Sequence, residues 1–92
     1  MIRVRHILVS EEVAAREARN RIEEDGEDFA AVARRVSSGP SAQRGGELGE
    51  VARGTLEPSF EEAAFDLAVG ELSEPIRTRF GWHLIQVMDR RT

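Results

Sequence analysis

Cysteine is absent from this 92-residue chain. Disulfides, thiolate nucleophiles and zinc–thiolate sites are therefore excluded, and stability has to come from packing. Lysine is absent as well, so all 13 basic residues are arginine. They scatter along the chain, as expected from a bias in residue usage rather than from a cluster built to grip phosphates. No apolar run approaches the roughly 20 residues needed to cross a bilayer, so no membrane partner is expected. No charged segment followed by an apolar stretch opens the chain, and no export signal is expected. This predicts a cytoplasmic location if the chain is complete. A periplasmic or otherwise extracytoplasmic one is expected if it is a domain excised from a longer exported protein. Repeats, low-complexity tracts and linkers are missing too, which predicts one domain over residues 1–92. The net charge of −4 argues against a nucleic-acid partner.

What is present is an ordinary globular balance, 40% hydrophobic and 33% charged. The stretch RVRHILV alternates around β-branched residues and reads as a strand with Val4, His6 and Leu8 on one face. Ser10 with Glu11 and Glu12 reads as a helix start, and Ala14, Ala18 and Ile22 as the helix's apolar stripe, ending at Asp25-Gly26. Phe29, Val32, Ala33 and Val36 have the spacing of a second amphipathic helix. A turn-rich loop, SSGPSAQRGGELGEV, leads into a short strand around Leu48–Val51. A third helix is expected with Ser59 as N-cap and Glu62 completing a capping box. Phe60, Ala63, Ala64 and Leu67 are its buried stripe and Gly70 its end. EPIRT and GWHLIQVMD read as the last two strands, turning near Phe80-Gly81, with His83, Ile85 and Val87 on one face.

The only two histidines thus sit in apolar strands at opposite ends of the chain. A titratable ring in a core strand loses desolvation energy unless it finds a hydrogen-bond partner. If the first and last strands pair, the two rings lie side by side on one face. Other chemistries fit poorly. RGGELG lacks the lysine and the following helix of a phosphate-binding loop, and the nucleophile elbow of a serine hydrolase is missing. A metal site needs more ligands than two rings readily offer.

Three separated motifs carry a family resemblance over essentially the whole chain: RHILV, DFAAVARRVSSGPSAQRGGELGEVARGTLEPSFEEAAF, and GELSEPIRTRFGWHLIQV. Together they resemble the parvulin family of peptidyl-prolyl cis–trans isomerases. The resemblance implies an α+β fold, a four-stranded antiparallel sheet wrapped by three to four helices, parvulin-like and FKBP-like in architecture. It implies a monomer that acts on proline-containing peptides or unfolded chains, assists folding and uses no cofactor or metal. His6 and His83 match the family's paired histidines, and Thr78 a hydroxyl that bonds within their network. Leu48, Leu56 and Phe60 match the pocket for the proline ring, and Phe80 its edge. Gly39 stands where members carry cysteine or aspartate, with Ser38 or Ser41 beside it as the nearest hydroxyls. Leu56 stands where a methionine is common. The long basic loop of phosphate-reading members is missing after Val9, which implies no preference for phosphoserine. Gly39 also keeps open a second function, a peptide-binding chaperone module of the same fold with little or no turnover.

Overall fold

In the computed structural model, which describes residues 1–91, the first and last strands run side by side. β1 (Ile2–Val9) and β4 (Gly81–Arg90) form the centre of the sheet. β2 (Glu47–Val51) lies outside β1 and β3 (Ile76–Thr78) outside β4, giving the order β2-β1-β4-β3 with every pairing antiparallel. Helices α1 (Glu12–Glu23) and α2 (Phe29–Val36) follow β1, a short 3₁₀ helix (Pro40–Arg44) leads to β2, and α3 (Pro58–Asp66) precedes β3. The architecture is the expected α+β one, with three α-helices and one 3₁₀ helix around four strands.

The sheet is covered on both sides, which is why β1 buries residues on both faces, Ile2, Val4 and His6 on one and Ile7 and Val9 on the other. On one side Ile7, Val9 and Leu84 pack against Ala15 and Ala18 of α1 and Phe29, Val32 and Ala33 of α2. On the other, Ile2, Val4, Ile85 and Val87 pack against Phe60 and Ala64 of α3. His6 and His83 follow the period-two alternation onto this second side, under α3.

Several expected helix boundaries shift. The N-cap of α1 is Glu11, without a side-chain capping bond, rather than Ser10. Ala15 and Ala18 are its fully buried residues, with Ala14 and Ile22 only partly buried. Val36, at the last turn of α2, is exposed. The cap of α3 is Glu57, not Ser59: its carboxylate accepts from the N–H groups of Ser59 (2.9 Å) and Phe60 (3.2 Å). Pro58 takes the first helical position, where a missing N–H costs nothing, and this moves the cap to the preceding residue. Glu62 is exposed and closes no capping box. The helix ends at Asp66, short of Gly70, and Leu67 is its partly buried C-cap.

Two backbone features fix the segment of β1 that carries His6. Pairing with β2 reaches only to Arg5, so the groups beyond need other partners. Gly46 carbonyl accepts the His6 N–H at 2.9 Å, and a Cβ at Gly46 would come within 2.2 Å of the His6 carbonyl, so only glycine fits there. Further along, Ser37 Oγ accepts from Leu8 N–H at 3.0 Å, and Ser38 N–H and Oγ donate to the Leu8 carbonyl at 2.8 and 3.0 Å.

Candidate active site

The two imidazoles meet. Register sets His6 opposite Ile85 and Leu8 opposite His83, so the rings are diagonal neighbours on one face of the sheet. They stack with centroids 5.2 Å apart and planes 20° from parallel, and their Nδ1 atoms lie 3.0 Å apart. Thr78, at the end of β3, places its Oγ1 2.7 Å from His83 Nε2 and accepts from Phe80 N–H at 3.1 Å. One arrangement satisfies both hydrogen bonds of the network. The Thr78 hydroxyl donates to His83 Nε2, His83 Nδ1–H donates to His6 Nδ1, and the His6 proton sits on Nε2, facing outward.

Burial holds both rings neutral. The His6 pKa is pushed down to about 4, first by desolvation and then by the neighbouring His83. That of His83 is lowered by desolvation as well, with the negative charge of Glu57 opposing.

Phe60 stands edge-on to the pair, its centroid 5.6 Å from that of His6 and 5.2 Å from that of His83. Above the rings opens a cleft of about 320 Å³. Leu48 at the start of β2, Leu56 before α3, Phe60 and Phe80 line it. The structure thus brings His6, His83, Leu48, Leu56, Phe60 and Phe80 to one cavity, with Thr78 behind His83. Gly39 adjoins it: a Cβ there would lie 3.6 Å from His6 Nε2, so position 39 puts no side chain against that nitrogen. Ser38 is placed otherwise. Its hydroxyl donates to the Leu8 carbonyl, and it is not among the residues lining the cleft. Ser41 Oγ is buried without a hydrogen-bond partner and does not line the cleft either.

Leu8 and Pro40 also line the cleft, and neither was singled out from the sequence as a site residue. Glu61 is a further omission. Its carboxylate accepts from the N–H groups of Gly54 (2.8 Å), Thr55 (3.2 Å) and Leu56 (3.4 Å), clasping the loop that presents Leu56. These bonds, with Arg53 nearby, pull its pKa down. An acidic residue on a helix's first turn carries no sequence signal of such a clasp.

A stacked, neutral imidazole pair flooring an apolar cleft on an antiparallel sheet is the arrangement that the resemblance to peptidyl-prolyl isomerases implies. The comparisons agree on the particular kind. The rotamase model, described as PPIC-type PPIase domain, matches residues 6–89, and the chain belongs to that family. Foldase protein PrsA 4 of Bacillus cereus is 44% identical over 91 residues, covering 98% of this chain and 32% of the relative. The chain therefore spans about one third of that relative's length. The solution structure of the parvulin of Nitrosopumilus maritimus superposes with a TM-score of 0.87 at 39% identity, covering 96% of this chain and 95% of that one. A structure from Campylobacter jejuni superposes with a TM-score of 0.90 at 32% identity, covering 96% of this chain and 38% of the other. It comes from work on two SurA-like chaperones, one of them named as periplasmic.

Proposed function

We propose that this domain turns X–Pro bonds in unfolded or flexible chains without covalent chemistry. In this reading Leu48, Leu56 and Phe60 hold the proline ring, and His6, His83 and Thr78 form the rigid floor of the site. The observation that carries it is the Phe60 ring set edge-on to both imidazoles at the base of the cleft. Rotation about X–Pro faces a barrier of about 20 kcal/mol. No bond breaks, so the requirement is selective binding of the twisted amide over the planar one. Twisting removes amide resonance and makes the carbonyl less polar, so an apolar cleft disfavours the planar form relative to the twisted one. Each tenfold in rate needs about 1.4 kcal/mol of such preference, within reach of a few contacts.

The foldase and chaperone relatives support folding assistance as the use of this activity, with the domain working inside a longer, extracytoplasmic protein. Exchange spectroscopy on a short proline peptide tests the reading. Catalytic line broadening or exchange at sub-stoichiometric protein is expected, and its absence with binding intact would turn the domain into a peptide-holding module.

A further inference from the structure

α3 carries Phe60 against the imidazole pair, yet its own sequence secures it loosely. The helix is nine residues long and fully buries only Phe60 and Ala64, with Ala63 and Phe65 partly buried beside them. A helix this short gains its order from its contacts rather than from itself. Its last turn holds no basic residue, and Asp66 there opposes the helix dipole. The missing cation comes from another element. Arg90, at the end of β4, donates through Nη2 to the carbonyls of Phe65 (3.0 Å) and Leu67 (2.5 Å), groups that lie where a helix leaves its carbonyls without internal partners. The Phe65 ring is held too, with the Arg53 guanidinium 4.2 Å from its centroid. Arg53 adjoins the 54–56 loop that Glu61 clasps. Polar contacts thus run from β4 through the end of α3 to the loop that presents Leu56.

We propose that Arg90 is a positioning residue: from outside the cleft it fixes the axis of α3, and with it the stance of the Phe60 ring over His6 and His83. The proposal rests on the isomerase reading. Arg90 does not line the cleft, and its partner in the sheet is Ile2, so its influence on the site has to travel through the helix. Phe60 and Phe65 are five residues apart, about 7.5 Å along the axis, and the helix between them moves as one body. A tilt at the carbonyl end therefore displaces the ring that meets the imidazoles edge-on at 5.6 and 5.2 Å. A displacement well under 1 Å is enough to slow a reaction that depends on placement.

The test compares Arg90→Met with Arg91→Met, which removes the next cation along the strand, one whose salt bridge goes to Glu50 instead of α3. The carbon-bound ring protons of His6 and His83 feel the ring current of Phe60 and report its stance by NMR. Exchange spectroscopy on a short proline peptide gives kcat/KM. In Arg90→Met the imidazole signals should move and kcat/KM fall about fivefold, whereas Arg91→Met should leave the signals in place and kcat/KM within about twofold of wild type. A lower melting temperature in Arg90→Met with unmoved imidazole signals would make Arg90 a stabilising contact only and overturn the proposal. Moved signals with unchanged kcat/KM, or the same changes in Arg91→Met, would overturn it as well. Should the wild-type protein fail to turn over the peptide, the isomerase reading falls and the ring signals alone decide: moved in Arg90→Met only, they support the positioning of Phe60, and unmoved they overturn it.

Discussion

His6 and His83 lie 77 residues apart in sequence and 3.0 Å apart at their Nδ1 atoms, although neither is the other's direct partner in the sheet. The contact is a diagonal one across the two central strands, closed behind His83 by Thr78. A floor of this kind has to stay neutral, because two cations cannot share a poorly solvated site.

Stability is expected to rise with pH between about 4 and 6.5. The folded pKa of His6 is near 4 and its ordinary value 6.5. Within that window the unfolded chain binds more protons, so acidification favours unfolding, and above it the effect vanishes. His6 alone accounts for about 2 kcal/mol lost between pH 7 and pH 5, with the lowered His83 pKa acting in the same direction. Urea unfolding at pH 7, 6 and 5 measures the slope, and His6→Phe should flatten it. Imidazole resonances titrating independently near 6.5 would contradict the paired, buried arrangement.

Phe60→Ala is expected to lower kcat/KM by more than tenfold. Phe60 is 4% exposed and part of the core beneath α3, so about 3 kcal/mol of stability goes with it. Phe60→Leu separates the two effects, since it retains most of the volume but not the flat edge over the imidazoles. Wild-type turnover in a folded Phe60→Ala protein would remove this ring from the proline pocket.

At Gly39 the backbone is ordinary for any residue, with φ −75°. An added Cβ meets its neighbours at 3.6–3.7 Å, normal contact distances. Gly39→Ala should therefore keep or slightly raise the melting temperature, by reducing the freedom of the unfolded chain. Gly39→Asp places a carboxylate near His6 Nε2 and should raise the His6 pKa from about 4. An NMR titration reads this directly. An unmoved His6 pKa would mean that the carboxylate turns away from the ring.

Glu61→Gln tests the clasp on the 54–56 loop. The variant keeps one acceptor oxygen and loses the charge that draws three N–H groups together. The amide resonances of Gly54, Thr55 and Leu56 should shift and broaden, and KM should rise more than kcat falls, because Leu56 is presented less firmly. Unchanged kinetics with shifted amides would assign Glu61 to loop stability alone.

How much of this was legible beforehand differs from element to element. The alternation in RVRHILV and GWHLIQV identifies two strands and the face on which each histidine lies, and the spacing of Phe29, Val32 and Ala33 identifies a buried helix face. The sequence pattern points to Ser59 as the cap of α3, whereas Pro58 at the first helical position favours Glu57, two residues earlier. The motif match placed Leu48, Leu56, Phe60 and Phe80 at the cleft but was silent on Leu8 and Pro40, which reach it from β1 and the 3₁₀ helix.

The sequence by itself determined which residues are apolar, which face of each element they share, and that no cysteine contributes to the chemistry. These follow from local period and composition, which a chain carries before it folds. Only the tertiary structure decided that β1 and β4 are neighbours, that their register brings one imidazole diagonally across to the other, and that Ser38 turns to the Leu8 carbonyl instead of the cleft. It also decided that Glu61 bonds three backbone N–H groups instead of water. Strand order and register are chosen by the fit of both sheet faces against α1, α2 and α3 at once. A slip of one residue would turn every side chain of a strand to the other face, so that choice belongs to the packed whole and to no single segment.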